Sequence, residues 1–367
     1  MVDKDIFLAR FTNLNYTAMA TNMSIIGLMS GTSVDGLDIA YCQFDSKGNY
    51  RLVAAKTYAY SAEMKHRLKK CMLLGTLQLL ELDADLGLLF GEKVNAFLKE
   101  TKLPKPKAIA SHGHTVFHNP AKKYSYQIAK GSHIAAVTGI PVVCDFRSTD
   151  VAHGGQGAPL VPIGDNLLFG QYDYCLNLGG IANISFNQNK KRLAYDICAC
   201  NLPVNMLMST LGKEFDRNGN TGKKGEIIKP LLEALDSLDY YAKKAPKSLG
   251  REWIEQELMH YLQAYSNLPN VLRTYYEHIS AEIAKNIIKK GATVLVTGGG
   301  AHNNFLMQLI HQKSSAILVS PQPEIIDFKE ALIFAYLGYL RINHKVNSLK
   351  TVTGAGKDSI GGCIYLG

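Results

Sequence analysis

Residues 27–40 read GLMSGTSVDGLDIA, which places three glycines, two serines, a threonine and two aspartates between apolar runs. Ile25 to Met29 and Leu37 to Phe44 read as strands, and a plain hairpin between them needs only Asn-Gly or Asp-Gly. The surplus of small residues suits a backbone that something anionic approaches. Successive N–H groups at a tight turn form a concave anion nest, and glycine lets an oxygen come within hydrogen-bonding distance. Gly31, Thr32, Ser33 and Gly36 offer one such nest, and Gly179 with Gly180 offers a second. Gly298, Gly299 and Gly300 follow a strand and open a helix, a place suited to a nucleoside or its phosphates. Any one cluster alone is equally a tight turn. Three clusters, each at a strand end, point to a nucleotide.

Other residues carry competing chemistries. His112, His114 and His118 sit in SHGHTVFH, and the first two alternate on a strand so that both point one way. That permits zinc ligation, but no cysteine or carboxylate stands at a typical ligand spacing. A wall of a ligand site and a structural histidine are the competing readings. The stretch DFRSTDVAHGGQGAPLVP (145–162) sets Asp145, Arg147, Asp150 and Gln156 among glycines, with Pro159 and Pro162 stiffening its exit. Arg147 there either meets an anionic ligand or forms a salt bridge with Asp145 or Asp150. Asp196 follows a strand and reads, on its own, as a turn-forming aspartate bonding its own backbone. FDRNG (215–219) lacks spaced calcium ligands and reads as a turn. Cys198 and Cys200 read as small packing residues rather than a redox pair, and the leucines of 73–89 as helix core.

Composition narrows the class. At 367 residues the chain is long enough for two domains, and 47% apolar with 19% charged residues is ordinary for a packed globular protein. The net charge of +9 comes from scattered lysines with no basic arm and no interleaved aromatics. Anionic metabolites, rather than nucleic acid, are the expected partners. Seven cysteines without CxxC spacing suggest a reduced, cytoplasmic protein, and no apolar run is long enough to span a membrane. Residues 1–22 lack a signal peptide's apolar core and read as a disordered extension before a fold that starts near Met23.

The order of elements repeats. Strands at 25–29, 37–44 and 50–60 are followed by helical spacing in 61–74 and 76–100, strands in KAIASHGHTVFH and IPVVCDF, and a helix at 131–138 between them. DYCLNLGG, IANISFN and RLAYDI then repeat the strand–glycine turn–strand opening. Helices follow at 203–212, 226–236, 251–266 and 271–290, then the strand TVLVT, a helix, the strand AILVS and a helix at 329–342. A doubly wound sheet would begin with a crossover helix instead. The pattern predicts a duplicated α/β domain of mixed sheets.

Taken together, GLMSGTSVDGLDIA, ASHGHTVFH, CDFRSTDVAHGGQGAPLVP, LNLGGIANIS, FDRNG, PKSLGRE and VTGGGAHNN resemble the anhydro-N-acetylmuramic acid kinases, in order from Ile26 to about Gly362. The resemblance implies a two-lobed actin-like, ribonuclease H-like ATPase fold with an interlobe cleft. Its lobes are expected at 23–140 plus about 345–367, and at 141–344, with hinges near 140 and 345 and closure on ligand. It implies ATP, Mg²⁺ and water acting on 1,6-anhydro-N-acetylmuramic acid to give N-acetylmuramic acid 6-phosphate and ADP in cell-wall recycling, by a homodimer. Gly31, Thr32, Ser33, Val34, Asp35, Gly36, Leu37 and Asp38, with Gly179, Gly180, Asn183, Gly298, Gly299 and Gly300, fall to ATP. Asp35 or Asp38 falls to the magnesium shell. Asp196 stands at the family's catalytic base, Glu330 at a glutamate near the sugar, and His112, His114, Arg147, Gln156 and Asn201 at sugar contacts. One stretch departs: the family's D-x-G-P-G-N is DICACN here, with Cys198, Ala199 and Cys200 in place of the two glycines and the proline. The rival readings are a sugar- or nucleotide-binding sensor that has lost catalysis, and a sugar kinase acting on a free hydroxyl. A dinucleotide-dependent dehydrogenase is a remote one, because GGGAHN is not GxGxxG.

Overall fold

The computed structural model describes residues 7–8, 23–31, 34–189, 191–245 and 247–367, the first two by backbone alone. Thr32 and Ser33 of the first nest lie outside the described residues. So does most of the 1–22 extension, but Phe7 and Leu8 correct that expectation locally. They form a short strand, β1, pairing antiparallel with Ala55 and Ala54.

Apolar alternation and β-branched residues build the first sheet. β2 (Met23–Met29), β3 (Gly36–Phe44) and β4 (Tyr50–Ala59) form an antiparallel meander. β5 (Ala108–Ser111) runs parallel to β2. β6 (His114–Asn119) and β7 (Tyr124–Ile128) form a separate ribbon, and β8 (Val142–Cys144) runs parallel to β5. The second sheet repeats the plan. β9 (Tyr174–Leu178), β10 (Ile181–Gln188) and β11 (Lys191–Ala199) are antiparallel, while β12 (Thr293–Thr297) and β13 (Ile317–Val319) continue parallel to β9. β14 (Cys363–Tyr365) adds an antiparallel edge to β8. The orders β4-β3-β2-β5-β8 and β11-β10-β9-β12-β13 are the same, meander first and parallel strands after. That is the duplicated ribonuclease H-like, actin-like architecture.

The chain divides into two compact units, 1–168 with 328–367, and 169–327. The divisions fall well away from the expected positions near 140 and 345, for reasons visible in the packing. Asp150, in helix Ser148–Ala152, is bonded by Ser348 and Thr353, and Lys329 pairs with Asp165 in helix Val161–Leu168 at 3.1 Å. These contacts hold 145–168 and most of helix Pro323–Ile342 in the first unit.

Each unit has its own core. In the first, helix Thr76–Thr101 buries Leu79, Leu82, Leu86, Phe90, Val94 and Phe97 at three- and four-residue steps. The leucine-rich stretch is only partly core, since Leu73, Leu77, Leu80 and Leu88 are exposed. In the second unit, helix Leu268–Lys285 buries Val271, Leu272, Tyr275, Ile279 and Ile283 with Tyr174, Leu176, Leu178, Ala182 and Ile184 from one face of the sheet. FDRNG is a turn, closed by Asp216 accepting from the N–H groups of Thr221 and Gly222.

One close approach fixes where the long last helix lies on the first sheet. A Cβ on Gly27 would stand 1.8 Å from the Ala331 carbonyl oxygen. Backbone has taken the place of a side chain there, so relief requires strand and helix to separate. Gly27→Ala is expected to destabilise the first unit by about 3 kcal/mol, at the upper end for overpacking, read as a lower denaturant midpoint. An unchanged midpoint would mean that the helix is not seated on β2 this closely.

Candidate active site

The first glycine turn joins β2 to β3 in the first unit. The Val34 N–H donates to the Gly31 carbonyl at 3.2 Å, and Val34 has φ +57° with its side chain buried. A β-branched residue at positive φ is strained, which marks this turn as more than a connector. Gly36 has a packing reason of its own, because a Cβ there would lie 2.5 Å from the Tyr58 carbonyl oxygen. Leu37 is buried in the core, so it can offer only backbone. Asp35 is exposed and Asp38 half-buried, its carboxylate accepting from Thr57 Oγ1 at 2.5 Å.

Behind this turn lies a hydrogen-bonded chain of polar groups. His112 continues the β2–β5 ladder through its N–H to the Leu28 carbonyl. Its Nδ1 lies 2.9 Å from the Gly113 carbonyl, and its Nε2 lies 2.9 Å from Arg147 Nη2. Nδ1 therefore carries the proton, and Nε2 accepts. Arg147 Nη1 donates to the Gly157 carbonyl at 2.6 Å, while its Nε is buried without a partner among the described residues. Neither Asp145 nor Asp150 pairs with Arg147, which removes the salt-bridge alternative. Asp145 accepts from Ser148, and Asp150 is fully buried, accepting from Gly157 N–H, Ser348 and Thr353. Gln156 is exposed. Glu330 is half-buried. Burial raises its pKa, against the lowering influence of Lys329 and Arg147.

The zinc reading of the histidines fails on the same geometry. Both ring nitrogens of His112 are engaged, His114 Nδ1 lies 3.2 Å from Ser30 Oγ, and His118 is exposed against Ser125. Among the described residues the three do not converge as metal ligands.

The second unit brings the other two glycine clusters together, because β9 and β12 are neighbours and both turns leave at the same end. A Cβ on Gly298, at φ +82°, would sit 2.6 Å from Asn177 Oδ1, and one on Gly300 would sit 2.7 Å from Leu178 Cβ. Gly299 has open space where a side chain would stand. The carbonyls of Gly179 and Gly180 accept from the N–H groups of Asn201, Cys200 and Leu202, and Asn201 Nδ2 donates to the Leu178 carbonyl at 2.8 Å. Asn201 thus braces the corner from within the protein.

Across this sheet runs a polar row. Strand register aligns Thr297 with Asn177, Asn177 with Asn183, and Asn183 with Asp196. Aligned residues share a face, here the face opposite the apolar core. A bulge beside Asn183 re-aims Asp196 relative to Ile197 and Cys198, which are buried in that core. Three contacts clasp Asp196. Its N–H donates to the Lys247 carbonyl at 3.1 Å, its carbonyl accepts from Tyr240 Oη at 2.7 Å, and its Oδ2 accepts from Leu249 N–H at 2.9 Å. Burial raises its pKa, and the Leu249 N–H partly offsets this. The Asn177–Thr297 part of the row and the Tyr240–Leu249 clasp went unread in the sequence. PKSLGRE was the available signal for the clasp, but a main-chain donor leaves no mark on residue type.

Comparison with known proteins now decides the family. The model of the family "Anhydro-N-acetylmuramic acid kinase" matches residues 23–367. The chain belongs to the anhydro-N-acetylmuramic acid kinase family. It is 38% identical to the anhydro-N-acetylmuramic acid kinase of Sulfurovum sp. strain NBC37-1, over 93% of this chain and 98% of that one. It is 36% identical to the kinase of the same name from Vibrio vulnificus strain CMCP6, over 95% and 99%. Among solved structures it resembles (R)-2-hydroxyglutaryl-CoA dehydratase component A of Acidaminococcus fermentans, at 11% identity over 86% and 96%, with a TM-score of 0.46. No helix among the described residues is long and apolar enough to cross a membrane.

The His112–Arg147 pair makes a pH prediction for this family member. Burial, then the Arg147 charge, lowers the His112 pKa to about 3. In the unfolded chain it is about 6.5. Between those values the unfolded state binds a proton that the folded state refuses, so stability is full above about 6.5 and falls as pH drops towards 3. The slope is about 1.4 kcal/mol per pH unit for one such group. His112→Gln is expected to remove about one proton from that slope in denaturant melts across the window. An unaltered slope would mean that His112 is not buried neutral.

Proposed function

We propose that this family member opens the 1,6-anhydro bond of 1,6-anhydro-N-acetylmuramic acid with water and transfers the γ-phosphoryl group of ATP to O6. The products are N-acetylmuramic acid 6-phosphate and ADP, a step of cell-wall recycling. Family membership over 23–367 supports the reaction, and the observation that carries the mechanism is the clasped carboxylate of Asp196. A 1,6-anhydro bridge is an internal acetal whose leaving oxygen stays tethered. Asp196 takes a proton from water, the water oxygen bonds to the anomeric carbon, and the bond from that carbon to O6 breaks. O6 bonds to the γ-phosphorus as the bond to ADP breaks, so no second carboxylate need protonate it. The raised pKa of Asp196 makes it a stronger base than an ordinary carboxylate.

Phosphoryl transfer then needs positioning and neutralised charge more than covalent help. We assign the phosphates to backbone of Gly31–Asp38 and to Gly179, Gly180 and Gly298–Gly300, where nothing of the protein crowds Gly299. Asn183, beside Asp196 in the row, goes with them. Magnesium, when bound, offsets phosphate charge. Asp35 is exposed and Asp38 held in one orientation by Thr57, and such hard oxygen donors fit its water shell. Arg147, with a buried Nε unpaired among the described residues, is assigned to the lactyl carboxylate, and His112, His114, Gln156 and Glu330 to the sugar. A cytoplasmic homodimer completes the reading.

The test is a product assay in ¹⁸O-labelled water with ATP, magnesium and the anhydro sugar. Label is expected at the anomeric carbon of a 6-phosphorylated product. A phosphorylated sugar without label would indicate a kinase acting on a free hydroxyl, and ligand binding without turnover would indicate a sensor. Asp196→Asn is expected to lower kcat about 10²- to 10⁴-fold, the usual contribution of a general base, with the melting temperature nearly unchanged. Near-normal turnover in that variant would remove Asp196 from the base role.

A further inference from the structure

The chain's last strand sets two cysteines opposite each other. Cys363 of β14 is the register partner of Cys144 of β8. Opposed residues of an antiparallel pair share a face and have Cα atoms about 4.5 or 5.5 Å apart, depending on ladder position. Both values lie within the roughly 4.4–6.8 Å that a disulfide bridges. The side chains agree with the backbone. A Cβ on Gly131 would meet Cys144 Sγ at 2.5 Å and the Tyr365 ring at 3.0 Å. Cys144 Sγ thus lies on the same face as Tyr365, and Cys363, two residues before Tyr365, projects to that face as well.

All seven cysteines are free, and their exposures differ. Cys363 is exposed and Cys144 half-buried, whereas Cys42, Cys71, Cys175, Cys198 and Cys200 are buried. The 144–363 pair alone joins an oxidant-accessible thiol to a partner directly across a ladder. Its surroundings are already fixed, since Arg341 Nε donates to the Gly362 carbonyl at 2.8 Å and Gly361 N–H donates to Asn347 at 2.7 Å. Closure therefore needs side-chain rotation more than movement of the tail.

We propose that Cys144 and Cys363 form an oxidant-responsive thiol pair that closes to a cross-strand disulfide with a hydroperoxide such as hydrogen peroxide. The exposed Cys363 thiolate attacks a peroxide oxygen. The S–O bond forms, the O–O bond breaks, and the departing hydroxide takes up the proton that Cys363 released on ionising, to leave as water. Cys144 sulfur then attacks the Cys363 sulfenic acid. The S–S bond forms, the S–O bond breaks, and a second water leaves with the Cys144 proton. The two thiols lose two electrons and the peroxide gains them. Burial pushes the Cys144 thiol up to about 12, so the first attack falls to the exposed Cys363 and Cys144 follows by its position across the ladder. The link staples the last strand to the strand end that leads into Asp145 and Arg147, and a small dithiol reverses it.

The test treats the full chain with graded hydrogen peroxide, quenches with catalase, denatures, alkylates, and measures intact and peptide masses. The expected result is loss of two alkylatable thiols and two hydrogens, a linked peptide containing Cys144 and Cys363, and full recovery with dithiothreitol. Cys363→Ser is expected to abolish the link while leaving the untreated melting temperature in place, because the side chain is exposed. Three results would each overturn the proposal: both thiols stay alkylatable, Cys363 proceeds to sulfinic acid or to a link between chains, or the bond joins Cys198 to Cys200.

Discussion

A carboxylate shut away from water has to be answered by donors, and Asp150 organises the first unit by that requirement. Its two oxygens accept from the Gly157 N–H, Ser348 and Thr353. Hydrogen bonds to a charged group are worth roughly 1.5–3 kcal/mol each, and leaving a buried charge unanswered costs more. The donors come from two segments far apart in sequence, so the glycine-rich loop and the segment after the last long helix cannot drift independently. Gly157, held by its N–H, presents its carbonyl to Arg147, and Arg147 reaches His112. The tautomer of a ring that leaves β5 is thus set through a buried aspartate in another element.

Asp196 shows the opposite use of the same side chain. One oxygen receives a main-chain donor, and the residue stays half-buried at the end of a polar row on the non-core face. Burial raises its pKa, whereas the two oxygens of Asp150 are answered by three donors. The number of donors separates a structural carboxylate from one held by a single main-chain N–H. By that criterion the two aspartates divide cleanly.

The sequence carried the strands, the repeat and the positions of the glycine turns, because alternation, helical spacing and glycine each act locally. What it hid was pairing over distance. Arg147 lies two and three residues from plausible acidic partners, yet it bonds neither, since Asp150 is saturated by Ser348 and Thr353. Gly36 looked like a nest glycine, and its own constraint is the Tyr58 carbonyl across the ladder. Nor does any local signal show that the Lys329–Asp165 pair and the Gly27–Ala331 approach bind the flanking helices to the first unit. The row from Thr297 to Asp196 needs the register of four strands, which no single segment contains.

The family's D-x-G-P-G-N is DICACN in this chain, and the fold shows how the change is accommodated. Glycine is demanded where φ is positive or where a Cβ would collide. None of residues 198–200 has positive φ, and Cys200 sits at φ −123°. Both thiols fall into the second unit's apolar core, where cysteine behaves as a small hydrophobe. The segment's course is set by main-chain bonds, from the N–H groups of Cys200 and Leu202 to Gly180 and from Asn201 to Gly179. Those bonds do not depend on the side chain between them. Asp196 is held at the other end by Tyr240, Lys247 and Leu249, again mostly through backbone. The loop is therefore specified at both ends by groups that the substitution leaves untouched, and the new side chains add apolar packing to the core.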